Sequence, residues 1–431
     1  MAQSLYHGRR LSDQVRTRLT EDAVKARLAP RTPDEVPLPP RLPAANLFTP
    51  EGLARRREFL KETYGFNLKA LDGESPPAPV ALRGNIENHI GFASMPLGLI
   101  GPLRINGLNA RGDYLIPLAT TEGALVASYH RGAHVLSLSG GVSACCLAES
   151  LSRAPGFVFQ TLTEALGFMD WVVHHAEEFP PIIAESTDHG HLLDIKLSSC
   201  GTLVYLIFEY ETGDAAGQNM VTLATDRICR HIVEHTPYPP QRWYVEANLS
   251  GDKKASMLSF QSARGKKVVA SAIVPARLTR RFLHCEPEEI AEYCQISALG
   301  GIQSGTIGVQ GHYANALAAL FISCGQDAAC VAEASVGITQ MRVNEQNELE
   351  VSVTLPNLIV GTVGGGTGLP SAKACLEMMD CYGTGKARTF AEICAATVLA
   401  GELSIIAALA SGEFASAHAK YRPAKPSSSA P

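Results

Sequence analysis

Charge is sparse in this chain of 431 residues: Asp, Glu, Lys and Arg make up 18%, the net charge is -5, and no basic run is longer than Arg55-Arg56-Arg57. That leaves no electrostatic footprint for nucleic acid or another polyanion. Metal motifs are missing too. The thirteen histidines form no HExxH and no Cys/His ligand spacing, so no metal site is expected. His189/His191 and His231/His235 are close enough in sequence to bind a cation, with exposed or capped histidines as the other reading. Eleven cysteines form no CxxC pair and no regular framework, which fits reduced, buried thiols and a cytoplasmic location. A basic-then-apolar leader is absent, and no apolar run reaches the ~18 residues of a membrane helix. A soluble chain without a membrane partner is therefore expected.

What is present describes a compact, Ala/Gly-rich chain, with 46% hydrophobic residues and 38 glycines, long enough to bury large cores in two or three domains. Leu11, Val15 and Leu19 at helical spacing predict a surface or interface helix over 9–28. Pro30, Pro33, Pro37, Pro39, Pro40, Pro43 and Pro50 then mark an extended linker. Thr49-Pro50-Glu51 reads as a cap with Pro at the first helical position, starting a helix that ends near Tyr64 before Gly65. Residues 1–80 thus form a helical N-terminal segment, and 81–154 the first part of a large mixed α/β domain.

Between Gly156 and Glu246 the periodicity alternates in the order β-α-β-β-α-β, which is the split, ferredoxin-like arrangement. Residues 155–245 are expected to be a small domain inserted into the larger one, which resumes over 246–421. Within this resumed part the sequence predicts strands over 267–275 and 351–360, a Gly-rich stretch over 300–311, and helices from about His312 to Cys324 and from about Ala391 to Gly412. Residues 422–431 are a Pro/Ser/Ala tail expected to be disordered.

Four stretches bear on the chemistry. Glu246-Ala-Asn-Leu-Ser-Gly-Asp-Lys-Lys254 sets carboxylates beside two lysines in a Gly/Ser/Asn-rich loop, where Lys253 can meet negative charge developing on a substrate oxygen while Asp252 or another carboxylate holds it charged. A turn with solvated charges is the alternative. Glu122, in Pro117-Leu-Ala-Thr-Thr-Glu-Gly123, precedes a helix and can be read as a macrodipole partner. Gly213-Asp-Ala-Ala-Gly-Gln-Asn219 opens the second helix of the small unit. Its small residues let backbone amides approach a phosphate, unless it is a turn with Asp214 as N-cap. Gly361-Thr-Val-Gly-Gly-Gly-Thr-Gly368 fails as a dinucleotide fingerprint but suits a loop where backbone meets a cofactor or another backbone.

Taken in order, Glu87-Asn-His-Ile-Gly91 with Gly101-Pro-Leu103, Ala119-Thr-Thr-Glu-Gly123, Gly213-Asp-Ala-Ala-Gly-Gln-Asn-Met220, Asp252-Lys-Lys254 with Arg264-Gly-Lys266, Gly325-Gln-Asp-Ala-Ala329, Gly361-Thr-Val-Gly-Gly-Gly-Thr367 and Leu399-Ala-Gly-Glu-Leu-Ser404 resemble the soluble catalytic portion of class I 3-hydroxy-3-methylglutaryl-CoA (HMG-CoA) reductases. The resemblance runs from about Asn85 to Lys420. It implies an α/β (α+β) fold with a ferredoxin-like nucleotide-binding insertion, and two-step reduction of HMG-CoA to mevalonate and CoA, the isoprenoid-precursor route. Alternatives are a non-catalytic acyl-CoA-binding homologue, mevalonate oxidation, or another branched acyl-CoA as substrate.

Carried over residue by residue, the resemblance implies Glu122 as general acid and Lys253 as oxyanion partner. Asp327 would set the protonation of their network, and His418 would protonate the departing CoA thiolate. Arg153 would face the substrate carboxylate, with Asp252, Lys254, His312 and Asn315 as further substrate contacts. Thr187, Asp188, Asp214, Ala215, Gly217, Asn219, Gly364 and Gly365 would contact the nicotinamide cofactor. NADPH is implied by the family, and NADH by Asp188, which stands where a phosphate-facing arginine is common. Glu246 stands where a serine is common beside the substrate, and Gln295 where a lysine is common. A homodimer, or a tetramer built from dimers, is implied, with the site completed between subunits.

Overall fold

The computed structural model describes residues 15–45, 47–71, 82–184 and 190–414, together with Arg9, Ser12, Asp13 and Pro77. The single N-terminal helix expected over 9–28 is interrupted at Thr20. Its backbone is extended and its hydroxyl accepts from the Ala23 amide at 3.2 Å, so a fresh helix, α1 (Glu21–Leu28), starts there. Helix α2 (Pro50–Tyr64) has the predicted bounds because both ends are capped: Thr49 Oγ1 accepts from Gly52 at its start, and Gly65 ends it in a left-handed conformation.

Strands β1 (Leu97–Gly107) and β2 (Arg111–Ala119) form a hairpin, followed by α3 (Leu125–Leu138) and β3 (Val142–Arg153). Next come β4 (Gly156–Val158), α4 (Leu162–His175), α5 (Phe179–Ala184), β5 (His191–Cys200), β6 (Leu203–Glu211), α6 (Gln218–His235) and β7 (Arg242–Tyr244). Their antiparallel order, β7-β4-β6-β5, is the ferredoxin-like one. The chain continues through β8 (Gly265–Val274), α7 (Pro287–Ser304), α8 (Tyr313–Ser323), β9 (Ile338–Val343), β10 (Leu349–Leu358), α9 (Pro370–Met378) and α10 (Ala387–Ala410). The Gly-rich stretch over 300–311 is helical in its first half, since α7 runs through Gly300 and Gly301 before Gly305 caps it.

The long strand β3 joins the two sheets. Ser143 to Ser150 pair with β8 in the large sheet, whereas Leu151 to Arg153 pair with β6 in the small one. Arg153 therefore sits at the junction.

Helix α10 is long and apolar enough to cross a bilayer by length and composition, which the run-length reading passed over because Glu392 and Glu402 interrupt the apolar run. It is buried along most of its length at the centre of the fold. Both glutamates are fully satisfied. Glu392 accepts from the Asn109, Ala110 and Cys146 amides, and Glu402 from the Gly311 and His312 amides and the Thr339 hydroxyl.

Helix α3 crosses α10 at Gly132, where an added Cβ would lie 1.8 Å from the Ala400 carbonyl oxygen. Gly132→Ala is expected to destabilise the fold by more than about 2 kcal/mol, because overpacking a backbone crossing outweighs the gain in helix propensity. Chemical denaturation reads this directly; a midpoint equal to the parent's would mean that the two helices separate at no cost.

Candidate active site

The loop 246–254 is shaped by backbone turns and its own acids. Asn248, Gly251 and Lys253 have φ of 64°, 72° and 56°, a left-handed conformation that is uncommon outside glycine. Glu246 holds the start of the loop, accepting from the Asn248 amide (2.7 Å), the Ser250 hydroxyl (3.0 Å) and the Ala154 amide (3.3 Å). At the other end the Lys253 amide donates to Glu333 Oε1 at 3.0 Å. Glu333 is fully buried, so burial raises its pKa, against the lowering effect of Arg264, with which it is paired. Arg264 also donates to Asp252 at 2.7 Å.

Lys253 Nζ lies 2.7 Å from Asp327 Oδ2. That hydrogen bond raises the lysine's pKa, keeping it an ammonium ion. Asp327 is fixed in turn, since its other oxygen accepts from the Ala329 amide at 3.0 Å. Lys254, by contrast, curls back to the Asp252 carbonyl at 2.9 Å and remains exposed.

Arg153 is buried at the sheet junction, with Nη1 3.0 Å from Asp252 and 3.6 Å from Glu246. Its Nε donates to Thr222 Oγ1 at 2.8 Å, and Nη2 to Gln218 Oε1 at 3.1 Å. Burial works to raise the Asp252 pKa, but Arg264 and Arg153 outweigh it and hold the carboxylate below its ordinary range.

The two glycine-rich loops come together at this cluster. Ala215 bridges Val363, and Asp214 O accepts from the Thr362 amide at 2.8 Å. Gly361 approaches the Ala216 amide so closely that a Cβ would stand 2.5 Å from it. Gln326 locks the junction, receiving the Gly361 amide at 2.8 Å and donating to its carbonyl at 3.0 Å.

Asp214 is a cap, but not of its own helix: its carboxylate accepts from the Gly385 (2.7 Å) and Ala387 (3.0 Å) amides at the start of α10. Helix α6 begins at Gly217 without a side-chain cap. Gly213, Gly364 and Gly365 have positive φ and open space where a side chain would be. Together with the exposed Asn219, uncapped amides and open glycines fit the phosphates of a dinucleotide.

Glu122 lies outside helix α3, three residues before its first turn, so the macrodipole reading does not hold. It is exposed and accepts from Asn315 Nδ2 at 2.5 Å. His312 stacks on Tyr129 at 5.0 Å and sits 3.3 Å from the buried Glu402. These groups flank the start of α8, whereas Asp327 and Lys253 lie beyond its end. Helix α8, eleven residues and about 16 Å long at 1.5 Å per residue, stands between the two groups. The described residues thus form two separate clusters, Lys253/Asp327/Arg153 and Glu122/Asn315/His312.

Thr187, Asp188 and His418, as well as His189, lie outside the described residues. His231 and His235 stack at 4.2 Å, with His231 beside Glu178, and among the described residues no cluster suited to a metal occurs. Gln295 is exposed on α7. Sequence reasoning missed Gln218, Thr222, Gln326 and Glu333. The first and third stand inside motifs already singled out. Glu333 had one signal, a lone acid in the small-residue run 328–336.

Comparison with known proteins gives one answer. The profile of the hydroxymethylglutaryl-coenzyme A reductase family matches residues 52–422. The 3-hydroxy-3-methylglutaryl-coenzyme A reductase of Methanocaldococcus jannaschii is 39% identical over 368 residues, covering 84% of this chain and 91% of its own. That of Pyrococcus abyssi is 42% identical over 371 residues, covering 84% and 90%. Among solved structures, the reductase of Streptococcus pneumoniae superposes with a TM-score of 0.70 at 18% identity, over 86% of this chain and 99% of that one. A class II form from the same organism, bound to NADPH in open conformations, gives 0.68 at 17%, over 86% and 100%.

Proposed function

The chain belongs to the hydroxymethylglutaryl-coenzyme A reductase family, and from that premise we propose that it reduces HMG-CoA with NADPH to mevalonate and free CoA. The observation that carries this reading is the Lys253–Asp327 pair, an ammonium held charged on a left-handed loop beside the junction of two open glycine loops. Two equivalents of NADPH consumed per mevalonate formed, with CoA thiol released, is the expected assay result. Thiol release without mevalonate would point to hydrolysis and sink the proposal.

When bound, the nicotinamide supplies hydride, once to the thioester and once to the aldehyde. Lys253 donates to the carbonyl oxygen as negative charge develops there, and Asp327 aims it. Glu122, held by Asn315, delivers the proton to that oxygen. His418 protonates the departing thiolate, a task suited to an imidazole, the side-chain type whose ordinary pKa is nearest neutrality. Arg153, Asp252 and Lys254 orient the acyl end, with His312 and Asn315 facing it from the other half-site. The open glycines 213, 364 and 365, the loop residues Asp214, Ala215 and Gly217, and Asn219 receive the dinucleotide.

Finer assignments follow from the same reading. Residues 155–245 act as the inserted nucleotide-binding unit between 81–154 and 246–421. The motif set favours class I, in keeping with the low identity to the class II structure. The position of the two clusters at opposite ends of α8 supports a dimer that joins Glu122 of one subunit to Lys253 of the other. Exposed apolar side chains at Ile90, Phe92 and Met95, and at Ile296, Leu299 and Ile302 on α7, supply faces for such an association. Eleven free cysteines, none in a disulfide, support a reducing, cytoplasmic location.

Asp188 bears on cofactor choice, because a carboxylate repels a 2′-phosphate but accepts from a ribose 2′-hydroxyl. NADH is expected to support catalysis with a kcat/KM at least comparable to that of NADPH, and Asp188→Arg to shift the preference toward NADPH. A parental preference for NADPH above about 100-fold, roughly 2.7 kcal/mol, would mean that other groups read the phosphate.

A further inference from the structure

Arg153 is the buried cation at the floor of the acyl half-site; Nε and Nη2 of its guanidinium are hydrogen-bonded, and the buried Nη1 is ion-paired without a hydrogen bond. Nε and Nη2 serve Thr222 and Gln218, while Nη1 faces two carboxylates, Asp252 at 3.0 Å and Glu246 at 3.6 Å. The neighbouring cations are matched in the same way: Arg264 with Glu333 and Asp252, Lys253 with Asp327. Asp252 is shared between two arginines. Glu246 is not; Arg153 is its only cationic partner among the described residues, and its other contacts are the Ser250 hydroxyl and the Asn248 and Ala154 amides. Its side chain is 23% exposed against 8% for Arg153, so the carboxylate is the more accessible member of the pair.

We propose that Glu246 determines substrate specificity by occupying the anion-binding face of Arg153. An acyl chain that ends in a carboxylate must approach an arginine that is already neutralised and must bring its charge against Glu246. A chain with an uncharged, hydrogen-bonding end has no such cost. The half-site therefore favours CoA thioesters with a neutral acyl terminus more than a bare arginine would, and HMG-CoA competes with them from a weakened position. This rests on the thioester-reductase reading above.

The test compares HMG-CoA with 3-hydroxy-3-methylbutyryl-CoA, which replaces the carboxymethyl arm by a methyl group, in reduction by the full-length protein with saturating NADPH. The parent is expected to prefer HMG-CoA by less than about tenfold in kcat/KM, and Glu246→Ser to raise that ratio by at least tenfold, about 1.4 kcal/mol. Glu246→Gln keeps one oxygen acceptor for the Asn248 amide and turns an amide nitrogen toward the Ser250 hydroxyl, which can accept from it, while removing the charge, and is expected to raise the ratio likewise. A purely structural role for Glu246 would lower both rates together and leave the ratio unmoved, which would overturn the assignment. So would a parent that prefers HMG-CoA by more than a hundredfold. A parent that reduces neither thioester would overturn the reductase reading itself and this inference with it, an outcome distinct from active enzyme with an unmoved ratio.

Discussion

Replacing Lys253 by Met is expected to lower turnover by about 100- to 1000-fold, the usual consequence of removing one preorganised donor from a developing oxyanion. Methionine keeps most of the side-chain volume, and the features that shape the loop are left in place: the Lys253 amide still reaches Glu333, and Glu246 still holds Asn248 and Ser250. Cofactor affinity is expected to change little, because the loops over 213–217 and 361–368 are tied together by the Asp214 carbonyl and the Ala215–Val363 bridge, without help from the lysine side chain. Steady-state rates with HMG-CoA, combined with nicotinamide fluorescence titration, separate the two effects. A variant that keeps more than a tenth of the parental rate would remove Lys253 from the chemistry.

Co-expressing Lys253→Met with Glu122→Gln is expected to restore activity that neither variant has alone. Glu122 stands with Asn315 at the start of α8 and Lys253 with Asp327 beyond its end. In a two-fold dimer each complete site then draws one half from each chain. Random pairing makes half the dimers mixed, and each mixed dimer holds one intact site and one doubly defective site. Recovery of about a quarter of the parental rate follows from that symmetry. If both groups served one site within a single chain, every site in the mixture would carry a defect. Activity no higher than the sum of the two variants would then be measured, and the shared-site geometry would be wrong.

Local order was legible in the residues wherever short-range chemistry decides it. Thr49, Pro50 and Gly65 set both ends of α2 because caps act within one turn. The β-α-β-β-α-β run was readable because strand and helix periodicities differ within a few residues. Where a cap competed with periodicity the reading failed: Thr20 breaks the helix expected over 9–28, since one side-chain hydrogen bond to Ala23 redirects the backbone.

By itself the sequence determined the family and the β-α-β-β-α-β order of the small unit, because seven ordered motifs and two periodicities survive without coordinates. Only the tertiary structure decided which of those residues meet. Asp214 looked like the cap of its own helix and instead holds the start of α10, more than 170 residues away in sequence. Glu122 looked like a macrodipole partner and instead receives Asn315. Glu333 carried almost no local signal, yet it pins the Lys253 backbone from a buried position. Glu246, read as one acid in a polar loop, turned out to share Arg153 with Asp252. The reason is common to all four. A carboxylate's role is set by the donors and cations within about 3–4 Å of it, and those neighbours are supplied by the packing of distant segments.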